Sequence, residues 1–104
     1  MKERRKTRRK HLFDYFDVVN RETNEPAGRL ADISLEGIKL KSRHSIAPNT
    51  HLSLRVILPA HERCREIAFE AQSVWSSRQA TDYDTGFQIV RVSHLDAEKI
   101  VRTF

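Results

Sequence analysis

From Phe16 onward, apolar and polar positions alternate with a period close to two, the signature of half-buried strands. Phe16 and Val18 alternate with Asp17 and Val19, and residues 20–26 (Asn-Arg-Glu-Thr-Asn-Glu-Pro) supply turn chemistry. A hairpin follows, whose second strand is 27–33. That strand runs into Ser34-Leu35-Glu36-Gly37, after which Ile38 and Leu40 alternate with Lys39 and Lys41. A second hairpin is expected there, with Gly37 at its tight position and in the left-handed region if the turn demands it. Leu52, Leu54, Val56 and Leu58 form one face of a fourth strand, opposite Ser53, Arg55 and Ile57, and Pro59 ends it. The fifth strand spans 66 to about 76 and the sixth 86–92, with the polar stretch 77–85 as the loop between them.

The period changes at the C-terminus. Leu95, Ala97, Ile100, Val101 and Phe104 have helical spacing, and Ser93 with Asp96 three residues later makes a variant of the capping box. Six short strands cannot leave two long edges open and still enclose a core. The expected fold is therefore mainly β, a six-stranded antiparallel barrel closed by a C-terminal α-helix, with a two-sheet sandwich as the alternative.

The chain has 104 residues, enough for one domain. Its longest apolar runs are three or four residues, far short of the roughly 20 a membrane helix requires. Membrane insertion is not expected. Cys64 is the one cysteine, so no intrachain disulfide can form, and a cytoplasmic location suits it. Charge adds a second component. Residues 1–10 hold seven bases and one acid, a net of +6, while the remaining 94 residues sum to −1. This is a near-neutral globule (13–104) carrying a basic N-terminal arm (1–12) that asks for an anionic partner.

Catalytic chemistry is poorly supported. Asp84-Thr85-Gly86 is the triplet of aspartic proteases, but only 18 residues follow Gly86 and none is a glycine that could form a flap. His51, His61 and Cys64 make no four-ligand metal set, and Ser34 lacks a nucleophile elbow. No enzyme activity, metal or cofactor is expected.

What remains is a pair of elements. Arg5 and Arg9 are four apart, as are Arg4 and Arg8, and Asp32-Ile33-Ser34-Leu35-Glu36-Gly37 follows one hairpin later. Guanidinium forks grip phosphate or the N7/O6 edge of guanine. Asp32 offers the reverse polarity, accepting from the N1 and N2 donors of guanine, and Ser34 can donate to a phosphate oxygen. Gly37 permits the turn and a close backbone approach. Period two places Asp32 and Ser34 on one face, the outer face of a barrel, so that Asp32 is expected to face solvent in the free protein.

Together these halves resemble the PilZ domain family of cyclic di-GMP receptors. The family's Arg-x-x-x-Arg motif is met by Arg5-Lys6-Thr7-Arg8-Arg9, and its Asp/Asn-x-Ser-x-x-Gly motif by Asp32 to Gly37. Ala71-Gln72-Ser73-Val74-Trp75 and Thr85-Gly86-Phe87-Gln88-Ile89 resemble its last two strands. The resemblance implies cyclic di-GMP as ligand and a downstream protein partner. Arg5 and Arg9 are the favoured clamp, since Lys10-His11-Leu12 leads directly into strand one, with Arg4 as a helper; Arg4 and Arg8 satisfy the same spacing. Trp75, at the end of strand five, is expected to pack first and to border the ligand second. Like-charge pairs at i,i+4 make a free helical arm unfavourable, so the arm is expected to be flexible and to order on the ligand. Fixing about seven residues costs on the order of 7–14 kcal/mol, which four to six charge-assisted hydrogen bonds roughly offset, and stacking supplies the surplus for an affinity near micromolar. Two rival readings come from other classes. One is a barrel that binds single-stranded nucleic acid, disfavoured by a net-negative body with few stacking residues; the other is a protein-interaction adaptor without ligand, disfavoured by the presence of both motifs.

Overall fold

The computed structural model describes residues 10–58 and 65–104, the first six of them as backbone. The strands are β1 (Lys10–Asn20), β2 (Pro26–Ile33), β3 (Gly37–Ser42), β4 (His51–Ile57), β5 (Glu66–Arg78) and β6 (Tyr83–Arg91), followed by helix α1 (His94–Thr103). They close into an antiparallel barrel in the order β1-β2-β3-β6-β5-β4. This is the mainly β architecture expected, barrel rather than sandwich. β1 begins at Lys10 and so takes in 10–12, which the charge pattern groups with the arm. Arg4, Arg5, Arg8 and Arg9 lie outside the described residues, as do Pro59, His61 and Cys64.

The alternation seen in the sequence is the alternation between lumen and surface. Val18, Leu30, Ile33, Ile38, Leu40, Leu54, Val56, Ile67, Phe69 and Phe87 fill the barrel at 4% exposure or less. On β3, Lys39 and Lys41 occupy the intervening positions. β2 needs one irregularity to keep both Leu30 and Ile33 inside. Leu30 faces Leu40 and Asp32 faces Lys39, leaving Ala31 as the extra residue of a bulge.

β5 and β6 are longer than the sequence suggests. They reach Arg78 and start at Tyr83, joined by a short turn closed by a 2.7 Å bond from Gln79 N–H to the Asp82 carbonyl. The polar residues read as loop are satisfied across strands. Thr85 is fully buried, its hydroxyl 3.0 Å from Ser76 Oγ, and Asp84 accepts a 2.8 Å bond from Lys41 Nζ on β3. The Asp-Thr-Gly triplet thus lies within a strand, its carboxylate engaged in an ion pair.

α1 closes the chain against β5 through Ile100, and the Phe104 ring meets Phe16 of β1 at 5.6 Å between centroids. The expected cap is present, with Ser93 Oγ accepting from Asp96 N–H at 3.0 Å. Asp96 also ties the helix to the barrel, accepting from Ala68 N–H at 3.3 Å and facing Lys99 at 3.4 Å. Burial by itself raises the Asp96 pKa, but the Ser93 hydroxyl, the Ala68 amide and Lys99 outweigh it and hold the carboxyl below its ordinary value. A depressed folded-state pKa stabilises the fold above the unfolded pKa, and that contribution disappears as pH falls through the folded one. Asp96→Ala is therefore expected to cost about 1 kcal/mol near neutral pH, and less in strong acid. Thermal melts of both proteins across the acid range test this; a pH-independent difference would contradict it.

Candidate functional site

Asp32 to Gly37 form the end of β2 and the turn into β3. Ser34 N–H donates to the Gly37 carbonyl at 2.9 Å, and Ser34 Oγ accepts from the Glu36 and Gly37 amides at 3.2 and 3.3 Å. Buried Ser34 therefore builds the turn with its lone pairs. Its hydroxyl donates to the Gly37 carbonyl only at the long distance of 3.5 Å, a weak bond that a better acceptor can replace.

Gly37 is needed for space rather than for a left-handed backbone. Among the described residues, Gly28 is the glycine with positive φ. A Cβ on Gly37 would collide with the carbonyl oxygen of Phe87, because β6 docks directly on the turn, with Ile89 N–H donating to the Glu36 carbonyl at 3.0 Å.

Asp32 differs from expectation as well. It takes its place opposite Lys39 on the outer side of the wall, yet it is only 8% exposed rather than facing solvent. Strands on both sides account for this. His11 of β1 lies across from it on one flank and Lys39 of β3 on the other, with Lys39 Nζ 3.6 Å from Asp32 Oδ2.

Cross-strand register extends this pair into a row. Asp32 of β2 is opposite Lys39 of β3, Lys39 is opposite Gly86 of β6, and Gly86 is opposite Trp75 of β5. At the usual strand spacing the row spans about 14 Å. Gly86 leaves room for the indole. A Cβ there would run into the Nε1 edge of Trp75, so the ring lies across the bare backbone. Trp75 sits within β5 rather than at its end and is 43% exposed, because a register shift after Ser73 leaves both Val74 and Trp75 on the surface. The indole is thus part surface and part packed, its packed side resting on the Gly86 backbone. Trp75 and Gly86, together with Glu36, Gly37, Val74 and Gln88, line a groove of about 210 Å³ at the indole end of the row.

Residues 3–104 match the family model of the PilZ domain. The chain belongs to the PilZ domain family. Among solved structures, this PilZ domain is similar to the Bacillus subtilis inhibitor of motility MotI/DgrA, with 20% identity and a TM-score of 0.79 over 97% of this chain and 49% of that one. It is also similar to the PilZ domain of Escherichia coli YcgR with c-di-GMP, at 18% identity and a TM-score of 0.72 over 97% of this chain and 88% of that one. A structure of YcgR in complex with c-di-GMP, also from Escherichia coli, aligns at 21% identity and a TM-score of 0.64, over 97% of this chain and 44% of that one. Such identities establish the fold alone. The chain spans about half the length of MotI/DgrA. Curated protein sequences give no match.

A larger cleft of about 680 Å³ opens at the opposite end of this PilZ domain, between the β1–β2 hairpin and the β3–β4 loop. Its rim mixes Asp17, Glu25 and Asp82 with Arg29 and Arg43, and it contains none of the predicted site residues. The predicted site residues among those described, Asp32, Ser34 and Gly37, lie instead at the β2–β3 end. Two residues there went unnoticed in the sequence, Lys39 and Gly86. Lys39 stands two positions after Gly37, on the same face of an alternating strand, which is the one local signal for it. Among the described residues no cluster of His, Cys, Asp and Glu could hold a metal ion, and no helix is long and apolar enough to cross a membrane.

Proposed function

We propose that this PilZ domain is a cyclic di-GMP receptor that signals to a protein partner and catalyses no reaction. One observation carries the reading: the row from Asp32 to Trp75 places a carboxylate, an ammonium, a bare backbone and an exposed indole side by side on one wall. A carboxylate reads the N1 and N2 donors of guanine, and the indole offers a stacking surface. The arginine arm is tethered at the same place. β1 enters opposite Ile33 at Lys10, one residue after Arg9, and Arg5 is five residues from that point, within about 17 Å of extended chain. In this reading Arg5 and Arg9, assisted by Arg4, clamp phosphate and guanine, Asp32 reads guanine, Ser34 contributes its hydroxyl proton and Gly37 keeps the turn against β6. Family membership and the c-di-GMP named with the two YcgR structures support the choice of ligand.

Calorimetric titration with cyclic di-GMP tests the reading, with an expected dissociation constant near micromolar, about −8 kcal/mol. Trp75 is the one tryptophan, so its emission should change along the same isotherm. A guanine-free single strand at matched concentration should not compete. Absence of both heat and fluorescence change would remove cyclic di-GMP as the ligand, and effective competition would favour a nucleic-acid barrel.

A further inference from the structure

Lys39 occupies the centre of the row, flanked by Asp32 on β2 and Gly86 on β6. Its ammonium is 3.6 Å from Asp32 Oδ2, close enough to feel the carboxylate but beyond hydrogen-bonding range. Lys41, the next outward residue of β3, differs in this respect, with Nζ hydrogen-bonded to Asp84 at 2.8 Å. It also sits about 6.7 Å further along the strand. Lys39 thus presents a cation with donors to spare on a side chain that is one-quarter exposed, whereas the charge of Lys41 is bound into an ion pair.

The electrostatics of the proposed ligand require such a group. Cyclic di-GMP brings two phosphodiester charges to a wall where Asp32 is itself negative, and like charges at contact distance oppose binding. An ammonium between the carboxylate and the indole offsets that repulsion. Resting on the reading of the site as a cyclic di-GMP receptor, we infer that Lys39 is a further ligand-binding residue, whose ammonium donates to a phosphodiester oxygen of the bound dinucleotide. The barrel then supplies a fixed phosphate contact of its own, independent of the arm. Lysine serves as a point charge here, so arginine should substitute for it in part.

The experiment compares wild type, Lys39→Met, Lys39→Arg and Lys41→Met by cyclic di-GMP titration at low and high salt, together with thermal melts. Lys39→Met should bind at least about 10-fold more weakly, with a melting temperature close to wild type, and its affinity should depend less on salt. Lys39→Arg should recover most of the affinity, and Lys41→Met should stay within about twofold of wild type. Wild-type affinity in Lys39→Met would overturn the inference and leave the receptor reading intact. So would an equal loss in Lys41→Met, which would reflect general charge, or a binding loss matched by a large fall in melting temperature that arginine does not repair. No binding by wild type would instead refute the receptor reading itself.

Discussion

Asp32→Ala is expected to weaken cyclic di-GMP binding by about 10² to 10⁴-fold, enough to move a micromolar affinity out of the range of ordinary titration. The magnitude follows from two charge-assisted hydrogen bonds to the guanine edge, each contributing about 1.5–3 kcal/mol and both lost with the carboxylate. Replacement by a methyl group also leaves guanine donors facing an apolar surface, which is how hydrogen-bonding sites discriminate so strongly. Stability should change less, by about 1 kcal/mol. The pair with Lys39 is long at 3.6 Å, though Asp32 is enclosed enough that its removal is not neutral. Calorimetry on the variant, with a thermal melt as control, decides the matter; near wild-type affinity in a folded variant would show that Asp32 does not read the ligand.

Much of this architecture is legible in the sequence because strand period and burial coincide. Leu52, Leu54 and Val56 alternate as read, and β2 and α1 fall within a residue of their expected bounds. β5 and β6 were harder. Asp84 and Thr85 have loop-like polarity, yet both are satisfied by partners 43 and nine residues away in the chain, Asp84 by Lys41 and Thr85 by Ser76. Local polarity cannot register a hydrogen bond supplied by another strand.

The same reasoning explains what was missed in the site. The Asp32 to Gly37 motif is contiguous and visible, and its turn forms as expected. Lys39, Gly86 and Trp75 are separated along the chain and line up with Asp32 only through the register of three strand pairs. Gly86 in particular reads as part of a protease triplet, whereas its role in the fold is to accommodate an indole. The burial of Asp32 depends on β1 passing beside it, a contact that alternation within β2 does not encode.

Gly37→Ala is expected to reduce both stability and binding, for a steric reason rather than a torsional one. The added methyl would point into the Phe87 carbonyl oxygen, and the obstacle is backbone that cannot rotate away. Relief requires the β2–β3 turn to lift from β6, which strains the Ile89 to Glu36 bond and the Gly37–Gln88 register. Overpacking of this kind costs about 2–3 kcal/mol. At about 4–8 °C per kcal/mol for a domain of this size, the melting temperature should fall by roughly 10–20 °C. Ser34 and Asp32 ride on the same turn, so a displaced turn carries the guanine-reading carboxylate out of line, and misplacement by about 1 Å is enough to cost some 10²-fold where geometry is demanding. Melting and titration at a temperature where the variant is still folded separate the two effects. An unchanged melting temperature would show that β6 yields to the extra methyl, and a large fall in stability with intact affinity would place Gly37 in the scaffold alone.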